Sequence, residues 1–263
     1  MPYDSSLLKK FRKFVKDPKA NSSKVAPFLM SKINPVVRRV REQVRDFSQS
    51  RPYPAHQELL NIVGDRKKCF FVEVGGNDGY FQDPTYFLEK GLGWKGIIVE
   101  PLPIYKLCKK NRSGSHVDNS ASISFDSYNK GVRNVELVDV NAMSVIKGSI
   151  ENEQEWITGG AKILNRNPET ITVEAKPVQS VIDSFFARQA KRDIDLFVVD
   201  VEGYEIEVIK GIDFSKNSPT YIMFEAHNDE RKKEIERFLQ LQGYVEVACL
   251  DSRDFVFKKL KDN

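Results

Sequence analysis

The chain has 263 residues, of which 40% are hydrophobic and 30% charged, enough for one large core with or without an appendage. Its three cysteines, Cys69, Cys108 and Cys249, show neither CxxC nor Cys/His spacing, which argues against a disulfide framework or a zinc site. No apolar run approaches the roughly 18 residues of a membrane span, and no apolar block marks a secretory signal, so a cytoplasmic protein is expected. The net charge of +4 hides an asymmetry: residues 1–50 hold twelve Lys/Arg against four Asp/Glu, a net +8, which leaves −4 for the remainder. Such a basic head suits peripheral contact with an anionic surface. It lacks the aromatic alternation of single-strand binders, so nucleic acid is not an expected partner.

In the head, helices are expected around Ser5–Val15 and Pro35–Phe47, followed by a Pro/Ser linker to residue 54. The main domain, 55–263, should open with a helix through His56–Val63. A buried strand Cys69–Val74 then leads into Gly75-Gly76-Asn77-Asp78-Gly79, and Asp83-Pro84 starts a helix that Gly91 should close. Further strands are expected at Gly96–Val99 and His116–Asn119, with a helix through Ile104, Leu107 and Cys108 between them. Residues 125–170 have weak periodicity and read as an irregular insertion around one or two short elements. After them come a strand at Thr170–Lys176, a helix at Val178–Gln189, a strand at Asp195–Val199, a helix ending at Gly211, and a strand at Tyr221–Phe224. Asn228 or Asp229 should cap a helix whose inner face is Ile235, Phe238, Leu239 and Leu241. Tyr244–Leu250 and Phe255–Lys258 should form an antiparallel pair. Strands alternating with helices predict a doubly wound α/β fold, with a mainly parallel sheet and an antiparallel terminal hairpin.

In such sheets the ligand lies beyond the carboxyl ends of the strands. There the sequence places Glu73 with Gly75–Gly79, Glu100, Asn119 and Ser120, Asp200 with Glu202, and Glu225 with His227. A glycine turn followed by an acid some 20 residues later suits either a nicotinamide dinucleotide or S-adenosylmethionine, since Glu100 can accept from ribose hydroxyls in both. The turn discriminates between them. Glu73 and Asp78 would repel a pyrophosphate but attract the amino group and sulfonium of S-adenosylmethionine, and Gly75 and Gly79 would give it room.

The segments FFVEVGGNDGYF, NSAS, DLFVVDVEGYEIEVIKGIDF and YIMFEAHN resemble the FkbM-type family of S-adenosylmethionine-dependent methyltransferases over about residues 68–258. The resemblance implies a Rossmann-like class I methyltransferase fold with the seventh strand antiparallel, and methyl transfer to oxygen, often on a sugar or secondary-metabolite hydroxyl. It also implies cofactor binding by Glu73, Gly75, Asn77, Asp78 and Gly79, ribose contact by Glu100, and adenine contact near Asn119 and Ser120.

Asp200 sits where the transferred methyl should lie, so Asp200 or Glu202, then His227, are the candidate bases. Met143, Trp156 and Tyr204 are candidate acceptor contacts. Asp200, Glu225 and Asn228 form a candidate set for a divalent cation such as magnesium. The chain has no Asp-Pro-Pro-Tyr or Asn-Pro-Pro-Tyr motif after Val199, which argues against methylation of base or glutamine nitrogens. Two rival readings are an NAD-dependent oxidoreductase or epimerase on the same sheet, and a non-catalytic module that works through the basic head.

Overall fold

The structure is a computed structural model that describes residues 53, 55–164, 167–250 and 252–260, all within the compact unit Arg51–Asn263. The two helices expected in the head lie outside the described residues.

The chain runs α1 (His56–Val63), β1 (Phe70–Val74), α2 (Tyr86–Leu92), β2 (Lys95–Val99), α3 (Tyr105–Asn111) and β3 (His116–Asp118). The segment that follows is β4 (Ala121–Ser122), α4 (Phe125–Asn129), β5 (Asn134–Asp139), β6 (Val145–Ile146), α5 (Glu153–Leu164) and β7 (Glu169–Lys176). It is completed by α6 (Val178–Phe186), β8 (Leu196–Val199), α7 (Glu205–Ile209), β9 (Tyr221–Glu225), α8 (Asp229–Leu241), β10 (Tyr244–Leu250) and β11 (Asp254–Lys259).

Seven strands form the main sheet in the order β10-β11-β9-β8-β1-β2-β3. β1 is parallel to β2 and β8, β3 to β2, and β9 to β8, whereas β11 runs antiparallel between β9 and β10. The strand pattern dictates the layering. Phe70, Val72 and Val74 alternate with Phe71, so β1 feeds two cores at once. The first core lies under α6, α7 and α8 through Val181, Ile182, Val208, Ile209, Ile235 and Leu239; the second lies under α1, α2 and α3 through Leu59, Val63, Leu88 and Cys108. Phe71 and Phe197 are wholly buried, one in each core, and truncating either to alanine should cost about 3–5 kcal/mol.

Three sequence expectations change. Gly91 lies inside α2, and the stop is Gly93, which adopts the left-handed conformation and donates to Glu89 and Leu88 carbonyls. Leu241 ends α8 on the solvent side, 84% exposed, because a 13-residue helix turns its last residue past the buried stripe of Ile235 and Leu239. The insertion is ordered: β4-β7-β5-β6 form a second, four-stranded sheet. Val138, Val140, Val145 and Ile157 give this segment an apolar cluster of its own.

Candidate active site

The chain leaves β3, builds the second sheet, and re-enters the main sheet at β8 beside β1. Strand order reverses there, which opens a crevice at the carboxyl ends of β1 and β8. The two ends are held tightly together. Gly75, at φ +98°, donates its N–H to the Val99 carbonyl, and a Cβ on it would lie 1.7 Å from the Asp200 carbonyl oxygen. The glycine therefore lets one strand end approach another. Gly79 is similar: at φ +73°, the space beside it is filled by Arg112 and Cys108. The room these glycines were expected to leave for a cofactor is taken by protein.

The cleft is lined by Val74, Gly75 and Asn77 after β1, by Glu100 to Leu102 after β2, and by Asp200 to Glu202 after β8. Ala142, Ser144 and Ile146 of the insertion form its opposite wall. Glu100 is 4% exposed; its Oε2 accepts from the Asn77 N–H at 2.7 Å and its Oε1 from the Leu102 N–H at 2.8 Å. Burial pushes this carboxyl up to about 7, against the two backbone donors. Asn77 and Glu202, both in the cleft lining, have positive φ, +43° and +53°, a conformation uncommon outside glycine. Strain of this kind concentrates at functional sites.

The remaining turn residues stand behind the cleft. Glu73 is turned away from it: its Oε2 accepts from the Thr85 hydroxyl at 2.6 Å and lies 3.6 Å from the buried Arg112 guanidinium. Arg112 also bonds Asp83 and Glu89 and donates to Thr85, so one arginine serves three buried carboxylates. Burial and then the Asp83 charge raise Glu73 to about 8. This corrects the expectation that Glu73 confronts the ligand: its carboxyl belongs to a framework under the turn. Asp78 accepts from the N–H groups of Tyr80 and Phe81, and so shapes the turn. Asn119 donates to the carbonyls of Glu100 and Pro101, and Ser120 to Asp118. Neither residue lines the cleft, whereas the following pair, Ala121 and Ser122, does. No sequence signal distinguished Arg112, which acts through partners 23 to 39 positions away.

At the other end of the cleft, His227 Nε2 lies 2.9 Å from Glu202 and 3.5 Å from Glu225, with Arg253 at 3.4 Å from Glu225. The Trp156 ring stands 5.0 Å from the imidazole, and its Nε1 donates to the Met143 carbonyl. The Glu202 bond raises His227, while burial raises Glu202 in spite of that bond. Both shifts favour keeping a proton on the pair, which titrates as a unit across the 2.9 Å contact. Exclusion of water by surrounding protein, and then the charges of Glu225 and Glu202, raise Asp200 well above the carboxylate range. Asp200 keeps an exposed face, so carboxylate crowding is the firmer of these causes. Tyr204 also lines the cleft. Asn228 is committed as the N-cap of α8, accepting from the Arg231 N–H. Among the described residues, the side chains that converge closely enough to hold a metal ion are Glu202, Glu225 and His227 instead.

A seven-stranded sheet in this order, with an acidic cleft at the switch between β1 and β8, defines a class I methyltransferase. Residues 73–246 match the family described as Methyltransferase FkbM domain, and the chain belongs to that family, whose members are S-adenosylmethionine-dependent methyltransferases. No curated protein matches the chain. Among solved structures it is similar to the human methyltransferase 10 domain containing protein, at 11% identity and a TM-score of 0.44, covering 80% of this chain and 83% of that one. It is also similar to precorrin-6y C5,15-methyltransferase from Geobacter metallireducens GS-15, at 9% identity and a TM-score of 0.41, covering 77% and 86%. A mutant of MtNAS in complex with S-adenosylmethionine matches at 14% identity and a TM-score of 0.42, covering 84% and 66%.

Proposed function

We propose that this methyltransferase acts on oxygen, at a hydroxyl of a sugar, glycan or secondary metabolite. In this reading residues 55–263 form the catalytic domain and residues 1–54 a basic extension. The observation that supports the cofactor side best is the sign of charge in the cleft: among the described residues its lining carries Glu100, Asp200 and Glu202 and no Lys, Arg or His. A dinucleotide pyrophosphate would meet repulsion there, whereas a sulfonium and an ammonium group are attracted.

Bound S-adenosylmethionine supplies an already activated methyl group. The chain's task is to position the acceptor oxygen in line and to take its proton. Asp200 faces the cleft from the end of β8, and the Glu202–His227 pair stands beside it. A carboxylate raised by crowded like charges is a better base near neutrality than an ordinary one. Glu100 is suited to accept from ribose hydroxyls, and Ala121 and Ser122 border the space available to the base. Trp156 and Tyr204 offer flat apolar faces to the acceptor.

A divalent cation, magnesium included, would be held by Glu202, Glu225 and His227 and would lower the pKa of the acceptor hydroxyl. His227 already bonds Glu202, and Glu225 already pairs with Arg253, so we favour direct base catalysis. A chelator should then leave turnover unchanged.

The cleft is narrow, about 80 Å³, well below the 300–1,000 Å³ typical of ligand pockets. In this reading residues 142–146, which wall the cleft, draw back as the cofactor enters. Titration with S-adenosylhomocysteine tests this reading. Micromolar binding that Glu100→Ala abolishes supports it; NAD(H) binding in its place would refute it. Tritium from labelled cofactor should appear in alkali-stable ethers; label released from esters would rule out a hydroxyl acceptor, and label held on nitrogen would rule out the O-methyl assignment.

A further inference from the structure

A second cavity, of about 580 Å³, lies at the opposite edge of the main sheet, among the amino ends of β1, β2 and β3 and the segment after α6. Its volume is that of a small-molecule pocket. One wall is a row of rings: Phe70 and Phe185 have centroids 5.6 Å apart, and His116 lies 5.6 Å beyond on Phe185. Lys95, Arg188 and Arg192 contribute positive charge. Arg192 is fixed in place, its guanidinium 5.5 Å from the Phe70 ring and bonded to the Lys68 carbonyl. Among the described residues neither Lys95 nor Arg188 has a carboxylate within ion-pair distance.

Two acids near the cavity are already engaged. Asp118, the one acid among the described lining residues, is held by Lys176 at 3.2 Å, and Asp195 pairs with Arg66 at 3.0 Å. Partial burial, with the cations Lys109, Arg188 and Lys176 acting against Asp118, holds His116 below its ordinary range, so its ring is neutral at pH 7 and free to stack. Three cations beside an aromatic wall have a charge opposite to that of the active-site cleft, whose charged lining residues are Glu100, Asp200 and Glu202.

We propose that this groove binds a planar anion of mononucleotide size, its ring against the Phe185–His116 wall and its charged group between Arg188 and Lys95. Cation–π and stacking contacts favour the ring, and unpaired guanidinium and ammonium groups favour a phosphate or similar anion. The site is independent of the methyl-transfer reading, because it shares no residue with the cleft.

The test is calorimetric titration of the full chain with adenosine 5′-monophosphate, adenosine and inorganic phosphate, each in the presence of saturating S-adenosylhomocysteine. Adenosine 5′-monophosphate should bind with a submillimolar Kd, with the other two at least tenfold weaker. Arg188→Glu should weaken it at least tenfold without altering S-adenosylhomocysteine affinity, and Ser184→Trp, which fills the groove, should do the same. Three results would each overturn the proposal: no binding of the nucleotide at 5 mM, binding no tighter than that of phosphate alone, or binding that survives both substitutions. A failure of S-adenosylhomocysteine to bind would instead count against the cleft and leave the nucleotide titration readable.

Discussion

Replacing Arg112 with methionine should destabilise the domain by about 3–5 kcal/mol at pH 8, a large share of the roughly 5–15 kcal/mol typical of folded domains. The guanidinium is wholly buried, with Glu89 at 3.0 Å, Glu73 at 3.6 Å, Asp83 closer still, and the Thr85 hydroxyl at 2.6 Å. Methionine fills much of the same volume, so the loss comes from uncompensated charge rather than from a cavity. Glu73, raised to about 8, is largely protonated at neutrality and loses least. Asp83 keeps the N–H groups of Thr85 and Tyr86, and Glu89 keeps Ser115 and Lys90, so neither is wholly orphaned. The sign of the pH dependence follows from linkage. Between an unfolded value near 4.5 and a folded value near 8, Glu73 binds more protons in the native state, so its contribution to stability falls as pH rises through that window. Without Arg112, Asp83 and Glu89 are also raised, and the variant's stability must fall more steeply with pH than the wild type's. The penalty should therefore be smaller at pH 5 than at pH 8, because protonation relieves the carboxylates left without their cation. Urea unfolding followed by circular dichroism at both pH values measures this. A loss below 1 kcal/mol at pH 8, or the same loss at both, would refute the account of one cation balancing three buried acids.

Gly75→Ala should lower stability by about 3 kcal/mol or more, through the positive φ and the clash with the Asp200 carbonyl, and thermal melting will show it. Cofactor affinity should rise with pH through about 7 as Glu100 ionises, and Glu100→Gln should flatten that profile and weaken S-adenosylhomocysteine by about tenfold or more. The base limb of the pH–rate profile should move to lower pH in Glu202→Gln, since the bond that raises His227 is weakened. Asp200→Asn should cut kcat by about 10²–10⁴ while S-adenosylhomocysteine affinity stays within a few fold. Hydrogen exchange over residues 137–146 should change when S-adenosylhomocysteine binds, because these residues wall the cleft.

Much of the main sheet was legible because each strand is a short apolar run with no competing period. β1, β2, β8 and β9 are buried along nearly their whole length, and the sequence displays that directly. Of the second sheet only β7 was legible, as the strand expected at Thr170–Lys176. β4 and β6 are two residues each and β5 is buried only over its last three, so none of them displays a period of its own. At the site, strand-end acids were visible as types, but their directions were not. Glu73 and Glu100 follow the same pattern of an acid closing an apolar strand, yet Glu100 reaches the cleft while Glu73 turns beneath the loop to Arg112. The difference depends on which side of the sheet each side chain takes, and on a partner far along the chain. The Glu202–His227 contact likewise joins two strand ends 25 residues apart, which only the adjacency of β8 and β9 brings together.

The insertion folds around valines and an isoleucine that lie outside both cores of the main slab. Substitutions within that cluster should therefore reshape the wall opposite Glu100 and Asp200 while the packing of the slab stays as it is.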